Sequence, residues 1–351
     1  MRNVAILSYA QTPYVRSEIR RNEVEMLMPT LAEAIEKSGL DRKEIGFTVS
    51  GSSDYIAGQA FSFVMAVDSL GAFPPIRESH VEMDGAWAMY EAWVKIQTGE
   101  IDSALCFSFS RSSMGTPAEV MTLQLDPYTL APLGIDAISL AALQARALLD
   151  QGKVSERDLA QIAARSRRDA MSNPEAQLKG DFDVDAILAE PTLVSPLRRH
   201  DCPPISDGAA VIVIAAEEAA KKSGAQPVWI RGIDDRIEPQ QPGFRDLTVS
   251  RSAQLASQGA GVADGAVDVA ELHAPFTHQE LILRQAIGLG DDVRINPSGG
   301  ALAANALLVA GLARIGEASR AILRGDARRA VAHATQGPCL QHNLVCVLEG
   351  E

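Results

Sequence analysis

The chain has 351 residues, of which 46% are hydrophobic and 22% are charged, and its formal net charge is −13. This length is typical of about two domains, and the apolar content excludes a disordered or low-complexity chain. The acidic balance argues against a general binder of nucleic acid or of an anionic membrane, because phosphate surfaces attract a basic face.

Short β-branched runs alternate along the chain with longer helical stretches, a pattern typical of α/β proteins. In chain order, we predict a strand over residues 4–7, a helix over residues 23–38 and a strand over residues 45–49. Then follow a helix over residues 85–98 and strands over residues 104–107, 209–215 and 228–230. The two helices end at Gly39 and Gly99, where glycine is a favoured helix cap.

The second half of the chain repeats patterns of the first. A pattern of apolar, glycine and acidic positions over residues 91–105 recurs 226 positions later, over residues 317–331. Residues 39–47 match residues 261–269 at an offset of 222. We therefore predict two copies of one α/β unit, residues 1–225 and residues 226–351.

An insertion over about residues 112–196 belongs only to the first copy. It contains two amphipathic helices, predicted over residues 139–151 and 155–171. An insertion of this size in a duplicated enzyme is a natural place for a lid or a ligand-gripping subdomain. The alternative is a helical addition that only packs against the body.

The four cysteines are too few and too scattered for a disulfide framework, and no C-x-x-C pair indicates zinc or a dithiol centre. They are Cys106, Cys202, Cys339 and Cys346. The N-terminus lacks a signal-peptide pattern, and no apolar run approaches the roughly 18 residues of a membrane span. We expect a soluble, cytoplasmic protein with no membrane or nucleic-acid partner.

Three segments have the character of site loops. Residues 80–85 lie at a strand-to-helix junction, where Asp84 is either a helix cap or a site carboxylate. Residues 271–276 place His273 at the end of a strand, where open α/β sheets bind ligands. Residues 296–300 contain two glycines that allow the backbone to approach a ligand or a neighbouring helix closely.

These segments carry a family resemblance. Asn-Pro-Ser-Gly-Gly at residues 296–300, the segment 201–210 and Glu271-Leu272-His273-x-x-Phe276 resemble the thiolase superfamily, and in particular its sterol-carrier-protein (lipid-transfer) branch. The resemblance covers nearly the whole chain in the same order. It implies an α/β protein of the thiolase fold, in which duplicated βαβαβαββ halves form an αβαβα body of five layers with an inserted loop domain.

The sequence departs from the family where the family's chemistry lies. The thiolase nucleophile is a cysteine in a C-x-S-G motif, and Gly85 matches the glycine of that motif. The cysteine position therefore falls on Glu82, or on Met83 if the register slips by one. Neither side chain can form the thioester acyl-enzyme that a cysteine thiolate makes.

The other family positions are partly kept. The histidine of the H-D-C-F motif is present as His273, and the histidine of the G-H-P motif falls near Asn305. The second cysteine of the family falls near Ala334, beside His333, and Cys339 lies several residues later, outside that position. The other four histidines are assigned solvated or structural roles: His80, His200, His278 and His342.

This set of residues predicts non-covalent chemistry on an acyl-CoA. His273, and Asn305 directly or through a water, could direct donors at a thioester carbonyl oxygen and stabilise an enolate there. Retro-aldol cleavage of a β-hydroxyacyl-CoA uses such an enolate and requires in addition only a base. Glu82, His273 and His333 are the candidate bases. Coenzyme A then enters as part of the substrate, and no covalently bound cofactor is expected.

The resemblance also implies a biological setting and partners. Some lipid-transfer-type relatives are aldolases that shorten steroid side chains with a small OB-fold partner, so we expect a homodimer or a hetero-oligomer with an OB-fold or second thiolase-like protein. A sterol-like or other lipid side chain is the expected substrate. Two alternatives stay open: a non-catalytic subunit that binds acyl-CoA or a partner, and an acetyl-CoA acyltransferase.

Overall fold

The computed structural model describes residues 1–351 as an α/β protein. Its strands are β1 (Val4–Gln11), β2 (Phe47–Gly51), β3 (Glu78–Val81), β4 (Ser103–Ser110), β5 (Thr192–Val194), β6 (Leu197–Arg198), β7 (Gly208–Ala216), β8 (Val228–Ile237), β9 (Val269–Leu272), β10 (Arg294–Ile295), β11 (Arg329–Gln336) and β12 (His342–Glu349). Its helices are α1 (Glu23–Ser38), α2 (Asp54–Ala57), α3 (Ser62–Asp68), α4 (Gly85–Gln97), α5 (Pro117–Leu123), α6 (Ala137–Asp150), α7 (Glu156–Asp169), α8 (Val184–Ala189), α9 (Glu217–Ser223), α10 (Arg251–Gly259), α11 (Thr277–Ile287), α12 (Gly300–Ala303) and α13 (Ala310–Leu323). A bilayer could not be crossed by any of these helices, given their lengths and apolar content.

The predicted helix over residues 23–38 is confirmed as α1, and its ends show why it was predictable. Asn22 and Glu25 form a capping box, in which the Glu25 N–H donates to Asn22 Oδ1 over 2.8 Å and the Asn22 N–H donates to Glu25 Oε2 over 2.9 Å. At the other end, Gly39 adopts a left-handed conformation with φ of 70°. A side chain there would collide with the Ser223 carbonyl, so glycine is required for two reasons.

Ten strands are hydrogen-bonded in series, in the order β10-β9-β11-β12-β8-β1-β7-β4-β2-β3. The series is symmetric about the antiparallel β1–β8 pair. Outward from that pair, one half runs β1-β7-β4-β2-β3 and the other runs β8-β12-β11-β9-β10. Equivalent strands begin at the predicted offsets, since β2 and β9 begin at Phe47 and Val269, and β4 and β11 begin at Ser103 and Arg329. The duplication is confirmed, whereas the domain boundary at residues 225 and 226 stays a prediction.

Helices α4 and α13 lie between the two half-sheets and share one core with both of them. The alternation of strand residues produces this arrangement, because successive side chains point to opposite faces. In the first half, Ile6 and Cys106 face α4 and α13, while their neighbours Ala5 and Leu105 face α1. In the second half, Ala332 faces the same two helices, while the outer face packs on α10 and α11. The body therefore has the five αβαβα layers that the resemblance implies.

The segment between β4 and β7 forms the insertion and contains α5–α8 with the β5–β6 pair. Its two predicted helices are confirmed as α6 and α7. The insertion packs against the second half of the chain. Arg165 pairs with the buried Glu280 over 2.5 Å, His278 lies 3.1 Å from Gln144 Oε1, and Ser166 donates to the Gly299 carbonyl over 2.6 Å. These contacts fix the insertion beside the 296–300 loop, and its role as a lid stays a prediction.

Candidate active site

The candidate site lies where the N-termini of α4 and α13 meet the carboxyl ends of β9 and β11. The Gly85 N–H donates to the Leu308 carbonyl over 2.9 Å, and the Asp84 N–H donates to Gln336 Oε1 over 3.2 Å. Leu308 adopts a left-handed backbone with φ of 66°, which is costly for a branched residue. These contacts bring the predicted loop at residues 80–85 against the end of β11 and the start of α13.

Asp84 caps two helices at once. Its carboxylate accepts hydrogen bonds from the Ala86 N–H over 2.9 Å, at the start of α4. It also accepts from the Gly311 N–H over 2.9 Å and from the Leu312 N–H over 3.0 Å, at the start of α13. Burial raises the pKa of the Asp84 carboxyl, and these three backbone donors oppose that shift by favouring the charged form. The cap interpretation is confirmed, and the carboxylate joins the two halves of the chain.

His273 and Asn305, which the sequence predicts as donors to a thioester oxygen, form a buried pair. His273 Nδ1 accepts the Thr335 N–H over 3.4 Å, so the neutral ring carries its proton on Nε2 and donates it to Asn305 Oδ1 over 3.2 Å. Burial, with a smaller contribution from His333, lowers the pKa of His273 to about 3 and keeps the ring neutral at pH 7. Because Asn305 Oδ1 is occupied by His273, its Nδ2–H₂ group is left as the available donor.

His333 is held in a different environment, on the face of β11 that is turned away from α4 and α13. Its Nε2 lies 2.9 Å from Asn343 Oδ1. Asn343 Nδ2 donates to Ser252 Oγ over 2.7 Å and to the Leu340 carbonyl over 2.8 Å, so Asn343 Oδ1 must accept from His333. Burial lowers the pKa of His333 to about 4. The structure joins His333 to His273 only through the main chain, and its role as a base stays a prediction.

Glu82 lies in the loop over residues 80–85, and 49% of its side chain is exposed. Its Oε1 accepts the Asp54 N–H over 2.8 Å at the start of α2, and its Oε2 lies 3.3 Å from His80 Nε2. No hydrogen bond connects Glu82 to His273 or Asn305. The position predicted for the family's nucleophile is therefore occupied by a carboxylate that contacts a neighbouring short helix, and its catalytic role stays a prediction.

The four cysteines are all buried and unpaired, and none begins α4. Burial raises the pKa of the Cys202 thiol to about 12 and that of the Cys339 thiol to about 11. It also raises the pKa values of Cys106 and Cys346 far above the ordinary thiol value. Since the thiolate is the nucleophilic form, little nucleophile is available from any of them at neutral pH.

Treatment of the folded protein with iodoacetamide at pH 7.5 is therefore expected to alkylate none of the four cysteines and to leave activity unchanged. The physical reason is that each thiol is both buried and protonated. Intact-mass measurement before and after treatment checks this, and the same reagent in urea should modify all four thiols as a control. Selective modification of Cys339 with loss of activity would contradict the expectation.

A cluster of His342, Asp235 and Trp87 lies at the same end of the central helices, and it was not predicted from the sequence. His342 Nε2 lies 2.7 Å from Asp235 Oδ2. The indole Nε1 of Trp87 lies 3.4 Å from the same carboxylate oxygen and 3.2 Å from His342 Nε2. The Trp87 and His342 rings pack with their centroids 4.7 Å apart. The three residues come from β12, β8 and α4, and no sequence motif connects positions so far apart. His342 was the only feature of the sequence that could have indicated this cluster.

No family model matches the chain. Among curated proteins, the benzoylsuccinyl-CoA thiolase subunit BbsB of Thauera aromatica is 26% identical over 299 residues, which cover 82% of this chain and 76% of that protein. Human sterol carrier protein 2 is 24% identical over 388 residues, which cover 98% of this chain and 70% of that protein.

Two solved structures superpose on nearly the whole chain. The Ltp2-ChsH2(DUF35) aldolase superposes with a TM-score of 0.83 at 19% identity, covering 99% of this chain and 98% of that one. An acetyl-CoA acetyltransferase of Bacillus anthracis superposes with a TM-score of 0.80 at 16% identity, covering 100% and 99%. The chain has the thiolase fold. Within this thiolase-fold body, the paired N-termini of α4 and α13, the His273–Asn305 pair and the His342–Asp235 pair occupy one end of the central layer.

Proposed function

We propose that this thiolase-fold protein acts on acyl-CoA thioesters without a cysteine acyl-enzyme, and that it cleaves a carbon–carbon bond by retro-aldol reaction of a β-hydroxyacyl-CoA. The observation that carries the proposal is the His273–Asn305 pair. His273 occupies Asn305 Oδ1 and thereby turns the amide nitrogen into a fixed donor. A fixed donor aimed at a thioester oxygen stabilises the enolate that forms when the bond to the β-carbon breaks.

The burial of this pair adds to its effect. Both residues are less than 10% exposed, so a charge developing on a bound thioester oxygen would meet the amide donor in a medium of low polarity. Because His273 stays neutral, it orients Asn305 without exchanging protons with solvent at physiological pH. The chemistry that these two residues support is oxyanion stabilisation, which serves a reaction through an enolate and needs no covalent intermediate.

The relatives support the substrate class and a partner. Coenzyme A thioesters appear in the names of the Thauera thiolase subunit and the Bacillus acetyltransferase, and the Ltp2-ChsH2 structure is named as an aldolase. The words "subunit" and "Ltp2-ChsH2" describe proteins that work with a second chain. We therefore extend the proposal to a sterol or lipid side chain as substrate, and to a hetero-oligomer with a small OB-fold or second thiolase-like protein.

An acetyl-CoA acyltransferase is the second candidate, because a Methanothermobacter acetyl-CoA acetyltransferase is 25% identical over 98% of this chain. Such a reaction through an acyl-enzyme requires a reactive thiolate, and Cys339 is the cysteine in the loop after β11. Its raised pKa and its burial weigh against that role. A subunit that binds acyl-CoA without catalysis is the third candidate.

One assay distinguishes these candidates. The purified chain is incubated with a β-hydroxyacyl-CoA that bears a bulky side chain, alone and with a co-purifying partner, and products are followed by mass spectrometry. We expect a ketone or aldehyde and a short acyl-CoA in equal amounts. A parallel reaction with a β-ketoacyl-CoA and free coenzyme A is expected to give no thiolysis. If no combination of chains releases a carbonyl product, the lyase proposal is wrong.

A further inference from the structure

We propose that His342, oriented by Asp235, is the acid–base residue of this reaction, a role that rests on the proposed function. The retro-aldol step requires a group that removes the proton of the β-hydroxyl. The His273–Asn305 pair does not supply that group, since both His273 nitrogens are engaged. The base must come from another residue at this end of the central layer.

Among the six histidines, His342 differs in the contacts of its two ring nitrogens. The buried ring nitrogens without a partner are Nδ1 of His200, His278 and His333. His80 contacts Ser50 through Nδ1 and Glu82 through Nε2. His342 alone combines a carboxylate at hydrogen-bond distance with a second ring nitrogen that has no protein partner and is not enclosed.

The tautomer of His342 follows from its partner. A carboxylate only accepts hydrogen bonds, so the 2.7 Å contact places the proton of the neutral ring on Nε2, directed at Asp235 Oδ2. The lone pair of the ring then lies on Nδ1, on the open side. Trp87 Nε1 lies 3.2 Å from His342 Nε2 and 3.4 Å from Asp235 Oδ2. Because the ionised Asp235 accepts the Nε2 proton, the indole N–H donates to the carboxylate oxygen, and the packed indole fixes the plane of the imidazole. A base oriented by a carboxylate in this way is the general arrangement of an activated histidine.

His342 lies next to residues that contact Asp84 and His273. Gln336, whose Oε1 accepts the Asp84 N–H, lies directly opposite His342 in the antiparallel β11–β12 register. Residues opposite each other in such a pair have Cα atoms about 4.5–5.5 Å apart and side chains on the same face. Thr335 connects both histidines, since its N–H donates to His273 Nδ1 and its hydroxyl donates to the His342 carbonyl over 3.1 Å.

Asp235 is the charged side chain that contacts His342. The neighbouring β8 side chains Asp234 and Arg236 lie on the opposite face of the strand and pair with each other over 2.6 Å. The hydrogen bond from His342 is the largest cause that lowers the pKa of Asp235.

The proposed step balances without a further reactant. His342 Nδ1 removes the proton of the β-hydroxyl, and the oxygen electrons form the carbonyl of the departing ketone or aldehyde. The bond between the α- and β-carbons breaks, and its electron pair becomes the enolate of the thioester, held by Asn305 Nδ2. The proton then passes from Nδ1 to the α-carbon and gives the short acyl-CoA.

The test uses His342→Ala in the full-length protein, with its partner if the wild type requires one. We expect kcat to fall about 10²–10⁴-fold, as for loss of a general base, with KM and the thermal unfolding temperature little changed. Added imidazole should restore part of kcat, because it can occupy the space beside Trp87 and Asp235. Asp235→Asn should lower kcat less than His342→Ala. His200→Gln, which removes a histidine that pairs with Glu190 in the segment before β7, is the matched control and should retain activity.

The outcomes separate the two proposals. An active wild type whose His342→Ala variant keeps its kcat, or loses it without recovery in imidazole, overturns the acid–base role and leaves the proposed function standing. A wild type that releases no carbonyl product under any condition overturns the proposed function and this role with it.

Discussion

Replacement of Asn305 by Ala is expected to lower kcat for cleavage of a β-hydroxyacyl-CoA by about 10²–10³-fold, the usual effect of removing one oxyanion donor. Asn305 Nδ2 is the donor that His273 leaves free, and the variant removes it. The Asn305 main-chain N–H, which donates to Ser206 Oγ over 3.0 Å, is unaffected, so the loop should keep its position. Steady-state kinetics with a thermal unfolding curve check both expectations.

Asn305→Asp provides a sharper control for the same residue. It keeps the shape of the side chain and an acceptor for His273, but it replaces the amide donor with an oxygen that repels an enolate. We expect it to be at least as inactive as Asn305→Ala. A variant with aspartate that retained wild-type kcat would contradict the oxyanion role. His273→Ala combined with Asn305→Ala should cost little more than Asn305→Ala alone, because residues that act as a unit have non-additive effects.

Replacement of Asp84 by Ala is expected to reduce the free energy of unfolding by on the order of 3 kcal/mol, because three buried backbone N–H groups lose their acceptor. Two of those groups belong to α13 and one to α4, so both central helices lose a cap. Urea denaturation monitored by circular dichroism, with linear extrapolation, measures the change.

Two further variants make the Asp84 result interpretable. Asp84→Asn keeps one oxygen acceptor and should give an intermediate loss. Asp185→Ala removes an exposed aspartate in the first turn of α8 that pairs with Arg157 at the surface, and it should change stability by less than about 1 kcal/mol. If Asp84→Ala unfolds at the same urea concentration as Asp185→Ala, the two helices do not depend on the shared cap.

Local signals allowed much of the fold to be predicted. The capping box at Asn22 and the left-handed Gly39 mark the ends of α1, and both are chain-local features of specific residue types. The offsets of the repeat matched the starts of equivalent strands, because each half repeats the same order of strand, helix and glycine. These features depend on neighbours within a few residues, which is why the sequence alone could indicate them.

The site was predictable only in part, because its contacts join distant positions. The family resemblance named His273 and Asn305 as candidates, but their mutual hydrogen bond joins positions 32 residues apart and no local pattern indicated it. The Asp84 cap was one of two open interpretations, and its contacts to Gly311 and Leu312 lie more than 200 positions away. His342 was assigned a solvated or structural role, since a lone histidine gives no sign of Asp235, a residue on another strand.

The shared layer of α4 and α13 has a consequence for synthesis of the chain. A ribosome completes β1, β2, α4 and β4 more than 200 residues before the end of α13. Until α13 emerges, the inner face of the first half-sheet, which includes Ile6, Val49 and Cys106, has only α4 to cover it. Newly made first halves therefore expose apolar surface that can pair wrongly with other chains. We therefore expect the yield of folded protein to depend on how soon the second half of the chain covers this face.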